Sequence, residues 1–267
     1  MKKVCFLLVV VLCIPLLMPY DACAGPALDR ILQRKELIVG ISGNQPPLNA
    51  TTKEGQIIGL DADLATYMAA GMGVKLTFSS MPFAELLPAL LTGKVDMVVS
   101  GMSMAPDRNL KVAFVGPYFV SGKSIVTTAE KANSLSGPAD LAAPDIKLVA
   151  LEGSTSQALI RTVIPMAQLQ TVTDYDKALD LVIQGKADAI VADYPFCALA
   201  VLRNPEKKLA TLDEPFTFEP LGIAVPGDDP LLINWVQNFL MTLEGSDGLQ
   251  TLVERWFKDA SWLSKLP

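Results

Sequence analysis

Leu87-Pro-Ala-Leu-Leu-Thr-Gly-Lys-Val-Asp96 runs into Met97-Val-Val99 and then into Ser100-Gly-Met-Ser-Met-Ala-Pro-Asp-Arg108. The pattern returns downstream as Leu179-Asp-Leu-Val-Ile-Gln-Gly-Lys-Ala-Asp188, which continues into Ala189-Ile-Val-Ala-Asp193. Each copy reads as a helix, a glycine stop and a short apolar strand. One strand ends in hydroxyls and Arg108, the other in Asp193. If the two ends face each other across a cleft, a guanidinium fork is offered to a carboxylate and a carboxylate to an ammonium. That pair of groups is the pair carried by a free α-amino acid.

Around the repeat, strands alternate with helices, the signature of an α/β sheet that is mostly parallel. Leu37 to Ile41 reads as a strand ending in the turn-rich loop Ser42-Gly-Asn-Gln-Pro-Pro-Leu48. Asp61 to Ala70 reads as a helix with Asp61 as N-cap and Gly71 as stop, and the Asp61/Asp63 pair is read as capping because positions i and i+2 diverge on a helix. A strand over 74–78, a helix over 83–92 bent at Pro88 and a strand over 95–99 complete one unit. The second unit holds strands over 124–127, 146–151, 169–172 and 187–192 and helices from Gly153, over 174–184 and over 194–202. The last strand and two helices, 221–225, 230–243 and 249–257, lack a sheet of their own and are expected to return to the first unit. The expected organisation is a secretory leader over 1–24, a first lobe over 25–119 and 221–267, and a second lobe over 120–220. Two crossings of the chain, near 118–124 and 220–225, would form a hinge.

Lys2 and Lys3, a short apolar run and Ala22-Cys-Ala24 read as that leader, with cleavage after Ala24 and export. Lipidation at Cys23 is the alternative. Of the four cysteines, Cys5, Cys13 and Cys23 fall within the leader, so Cys197 has no internal partner and reads as a small buried apolar residue. With no histidine in the chain, zinc, haem and histidine-activated nucleophiles have no support, and no cofactor is expected. A formal charge of −6 gives no electrostatic reason to bind nucleic acid or anionic lipid.

Ligands of open α/β sheets sit beyond the carboxyl ends of the strands. There the sequence places the first loop, Ser100, Gly101, Ser103 and Arg108, the helix start at Ser154 and Thr155, and Asp193. Arg108 is expected to hold a carboxylate, helped by N–H groups near Ser103 and Thr155. Asp193, the Ser103 hydroxyl and the Gly101 carbonyl are expected to accept from the ammonium. Ser154 also has an ordinary reading as a helix cap, Asp193 likewise, and Phe83 reads equally as a cover for the ligand and as core. Lys94 and Lys186 are read as solvated.

Gly59-Leu-Asp-Ala-Asp-Leu-Ala65, the Leu87–Asp96 and Ser100–Arg108 segments, Phe114-Val-Gly-Pro-Tyr118 and Leu151-Glu-Gly-Ser-Thr155 together resemble the bacterial extracellular solute-binding proteins of family 3, the amino-acid-binding subunits of periplasmic ABC importers. The resemblance implies a type II periplasmic binding fold of two α/β lobes joined by two hinge strands. It implies a monomer that binds a free amino acid and hands it to an ABC permease in the inner membrane, with no catalysis. It carries carboxylate binding onto Arg108, ammonium binding onto Asp193, further contacts onto Gly101, Ser103, Ser154 and Thr155, and an aromatic lid onto Phe83. Where the family commonly stacks an aromatic residue on the ligand, this chain has Gln45. Where members selecting cationic side chains often carry an acid, it has Ser42, so a neutral or polar ligand is favoured. The alternatives are a dehydratase on the same scaffold, with Glu152 as general acid, and a ligand sensor docking on a separate receptor.

Overall fold

The computed structural model describes residues 25–134 and 138–267. The expected leader, its cleavage site and Cys23 lie outside the described residues. Two five-stranded sheets organise the chain. In the first, Lys75–Ser80, Glu36–Ile41 and Met97–Val98 run parallel, and Glu219–Val225 lies antiparallel between Met97–Val98 and Ala113–Ser121. In the second, Gln168–Val172, Lys147–Leu151 and Ala189–Asp193 run parallel, and Lys123–Thr128 lies antiparallel between Ala189–Asp193 and Leu209–Thr211. The sheets are therefore mixed, each with a parallel half whose inner strands are mostly buried and whose outer strand is not.

The internal repeat occupies equivalent places in the two sheets, leading in each into the middle strand. Its aspartates also do the same work: Asp96 accepts from the Ile38 N–H at 2.9 Å and Asp188 from the Lys147 N–H at 2.8 Å. Each fixes the neighbouring parallel strand. Arg30 and Arg34 pair with Asp96, and Lys131 pairs with Asp188. Lys94 and Lys186 are exposed, as read from the sequence.

Two sequence expectations need correction. The helix expected to be capped by Asp61 spans Leu60–Met72, its N-cap is Gly59 and its stop is Gly73 in the left-handed conformation. Asp61 is instead buried and bonded to other elements. The loop after the first strand is also more ordered than a turn-rich loop, since Asn44–Gln45, Asn49–Thr51 and Ile57–Ile58 form a small antiparallel sheet.

Ala113–Ser121 passes into Lys123–Thr128 through Gly122 alone, and Glu219 and Pro220 return beside Ser121 and Val120. The two passages between lobes are thus hydrogen-bonded to each other. The last strand and the helices Pro230–Gly245 and Gly248–Phe257 pack in the core of the first lobe through Ile223, Leu232, Val236, Leu252 and Trp256. Full burial of such side chains is worth roughly 1.5–3 kcal/mol each. A second apolar cluster spans the cleft, with Phe83 and Leu86 of the first lobe and Leu151 and Tyr175 of the second. The lobes are closed on each other.

Candidate functional site

The site is assembled at strand ends. Pro106–Asn109 forms one helical turn after the Ser100–Ala105 segment, and this turn carries Arg108 back toward the cleft, where it is 8% exposed. Its guanidinium donates to the Ser103 carbonyl at 2.9 Å and, across the cleft, to the Gly153 carbonyl at 2.8 Å. It lies over the Phe83 ring at 5.6 Å. Burial pulls its pKa below the ordinary arginine value, against Asp107, Glu219 and Asp193, which act the other way. Among the described residues no carboxylate stands within ion-pair distance of Arg108. A guanidinium has more N–H donors than the two carbonyls use, and it lacks a direct counter-ion.

Facing it, Lys147–Leu151 turns through Gly153 into the helix Thr155–Val163. Ser154 caps that helix, accepting from the Gln157 N–H, and donates to the Leu151 carbonyl at 2.6 Å. The ordinary cap reading is the one seen for Ser154. Thr155 points into the cleft, its Oγ1 lying 3.3 Å from Ser103 Oγ and donating to Glu219 Oε2 at 3.2 Å. A cavity of about 200 Å³ opens beside Arg108, Gly153, Ser154 and Thr155. A larger apolar groove of about 460 Å³ runs between Tyr194, Leu199, Trp256 and Trp262, away from these charges.

Asp193 ends the central strand of the second sheet and precedes the helix Tyr194–Arg203, yet its side chain makes no capping bond. The cap reading fails because the carboxylate is turned to Lys123, its direct cross-strand partner, whose Nζ donates to Oδ1 at 3.0 Å. Ser121 Oγ is 3.5 Å from the same oxygen. The side chain of Lys123 is 1% exposed and lies 3.8 Å from Glu219 Oε2. Lys123 and Glu219 were not identified from the sequence. The available signal was a lysine beginning an otherwise uncharged strand, but only cross-strand register aims it at Asp193.

The first-lobe residues support one another. Ser100 Oγ accepts from the Ser42 N–H at 2.9 Å and donates to Ser42 Oγ at 3.1 Å. Gln45 is 4% exposed and spends its amide on Ser42 Oγ and the Ser100 carbonyl, both at 3.0 Å. Gly101 takes a positive φ of 56° and donates to Tyr118 OH at 3.2 Å. Tyr118 OH donates to Asp61 Oδ1 and Asn49 Nδ2 to Asp61 Oδ2, both at 2.7 Å. Burial pushes the Asp61 carboxyl up to about 7, against those hydrogen bonds and the Gly101 N–H. Structure thus brings Ser103, Arg108, Phe83, Thr155 and Asp193 to the cleft, while Ser100, Gln45 and Ser154 spend their polar groups within their own lobes.

Cys197 is fully buried, and burial, with Asp193 nearby, pushes its thiol up. Glu152 is exposed. Among the described residues no cluster has the make-up of a metal site and no helix is long and apolar enough to cross a membrane.

The family model for bacterial extracellular solute-binding proteins, family 3, matches residues 37–259. ABC transporter arginine-binding protein 1 of Escherichia coli strain K12 is 28% identical over 82% of this chain and 89% of its own length. Cyclohexadienyl dehydratase of Pseudomonas aeruginosa is 25% identical over 86% of each chain. A binding component of an ABC transporter from Wolinella succinogenes, solved in complex with lysine, superposes with a TM-score of 0.82 at 36% identity and covers 87% of this chain and all of that one.

Proposed function

The chain belongs to the bacterial extracellular solute-binding proteins, family 3, and from that premise we propose that it captures a free amino acid by lobe closure and delivers it to an ABC permease. The protein works in the periplasm as a monomer, after loss of residues 1–24, with lobes 25–119 plus 221–267 and 120–220. Arg108 binds the ligand carboxylate. Asp193 receives the ammonium, with Ser103, Thr155 and the Gly101 backbone completing the polar set and Phe83 covering the side chain. The observation that carries this reading is Arg108 itself, a buried cation with no carboxylate partner among the described residues, opposite a buried acidic group. Charge-assisted hydrogen bonds contribute about 1.5–3 kcal/mol each, and micromolar binding requires only about 8 kcal/mol net, so binding needs no further chemistry.

A neutral or polar side chain is favoured, because Ser42 supplies no counter-charge and its hydroxyl is spent on Asn49 Oδ1 at 2.9 Å. The test is thermal-shift screening of residues 25–267 against the free amino acids, arginine and lysine included. One amino acid is expected to stabilise the wild type, and Arg108→Ala and Asp193→Ala to lose that stabilisation, each with roughly a hundredfold or greater loss of affinity. Unchanged stabilisation in both variants removes the site. The dehydratase reading finds a relative of that name but requires Glu152 as general acid, and its exposure counts against a desolvated acid. Turnover of a prephenate-like substrate that disappears in Glu152→Gln would restore it.

A further inference from the structure

Asp193 alone is poorly placed to receive a ligand ammonium, because the cation of Lys123 already sits on its Oδ1. Lys123 is held there by more than its charge: its N–H donates to Thr217 Oγ1 at 2.8 Å and its carbonyl accepts from the Phe216 N–H at 2.9 Å. The same Nζ lies 3.8 Å from Glu219 Oε2, so one internal cation bridges two carboxylates. Lysine, aspartate and glutamate together carry one unit of surplus negative charge. Among the described residues, each carboxylate keeps an oxygen with no hydrogen bond, Oδ2 of Asp193 and Oε1 of Glu219. Opposite them, Arg108 carries one unit of surplus positive charge. The cleft therefore sets the Arg108 cation against a group of net negative charge.

We propose that Glu219 is a further ligand-binding residue, which receives the amino acid's ammonium jointly with Asp193, and that Lys123 is the positioning residue holding the two carboxylates together. The buried Asp193 carboxylate and the partly buried Glu219 carboxylate repel each other, and the Lys123 cation between them offsets that repulsion. With one cation between two carboxylates, the group as a whole attracts one more positive charge. Glu219 begins the strand that returns from the second lobe to the first, and Thr155 Oγ1 donates to it from the second lobe. Its contact with the ammonium would thus be completed by closure.

This inference rests on reading the cleft as an amino-acid site, and the experiment separates the two. Matched pairs are titrated calorimetrically: alanine and lactate, leucine and 2-hydroxy-4-methylpentanoate, methionine and 2-hydroxy-4-(methylthio)butanoate, phenylalanine and 3-phenyllactate, glutamine and 2-hydroxyglutaramate. In Glu219→Gln, which keeps an acceptor for Thr155, affinity for the amino acid should fall about tenfold to a hundredfold while its hydroxy acid is held as before, so that discrimination between them shrinks. Equal losses for both ligands, or none for either, would assign Glu219 a structural role and overturn the inference while leaving the amino-acid reading intact. A wild type that binds none of the free amino acids overturns both. Lys123→Gln supplies the second readout: with the bridging cation gone, its discrimination between amino acid and hydroxy acid should shrink as it does in Glu219→Gln, and discrimination matching the wild type removes Lys123 from the proposal.

Discussion

At the scale of single residues, the cleft shows how burial decides what a charge does. Asp96 is buried, but two arginines and a backbone N–H answer it, so it serves as a structural pin. Arg108 is buried and, among the described residues, donates to carbonyls alone, which leaves it N–H donors to spare. Asp61 is the reverse case, a carboxylate answered among the described residues by neutral donors and by no cation. Its folded-state pKa of about 7 stands above the ordinary 3.8, so the folded chain holds a proton that the unfolded chain releases between those values. By linkage, its stabilisation is complete below about pH 4 and is lost as pH rises toward 7, an effect of the order of 4 kcal/mol. Asp61→Asn should flatten the decline in denaturant stability between pH 4 and 7, and an unaltered slope would show that another group titrates there. The slope is the quantity to read, because an asparagine amide facing Asn49 changes absolute stability as well.

At the scale of elements, most of the fold was legible because strand, glycine and helix follow one another with apolar runs short enough to be buried strands. The repeat located the two ends that matter, and Arg108 and Asp193 follow from it. Lys123 and Glu219 did not follow, because their roles depend on cross-strand register and on a returning strand nearly a hundred residues downstream. Asp61 misled for a related reason: an acid near a helix start suggests a cap, but the partner that claims it, Tyr118, comes from a strand more than fifty residues downstream. The turn at Gly153 joins sequence and closure most directly. Its φ is 73°, a region L-residues adopt at a cost of about 1–2 kcal/mol, and a Cβ there would lie 3.0 Å from the Cα of Ala84 in the opposite lobe. Gly153→Ala should therefore weaken ligand binding about tenfold by resisting closure as well as straining the turn. Calorimetry on the variant checks this, and wild-type affinity would mean that the turn relaxes without disturbing the cleft.

At the scale of the whole molecule, two lobes joined by paired strands have few ways to move except opening about that pair, so contacts across the cleft set the balance between open and closed forms. Besides Arg108 with Gly153 and Ser103 with Thr155, the lobes meet at Asn44. Its Oδ1 accepts from the Tyr175 N–H at 2.6 Å, at the start of the helix Tyr175–Ile183, and its Nδ2 donates to Asp176 at 3.3 Å. Asn49 Oδ1 accepts from the Asn44 N–H at 3.1 Å, so this latch is anchored through Asn49 to buried Asp61. Asn44 has no place in the proposed ligand contacts, which makes it a probe of closure alone. Losing the neutral bond to Tyr175 is worth about 1 kcal/mol and losing the bond to the Asp176 carboxyl at least about as much again, enough to shift an open–closed equilibrium roughly tenfold or more. Asn44→Ala should then enlarge the ligand-free molecule in small-angle scattering, return to the wild-type radius at saturating ligand, and bind more weakly by the factor that closure has lost. Scattering curves that match the wild type without ligand would show that the lobes are held by the apolar contacts of Phe83, Leu86, Leu151 and Tyr175, and the latch would be incidental to the motion.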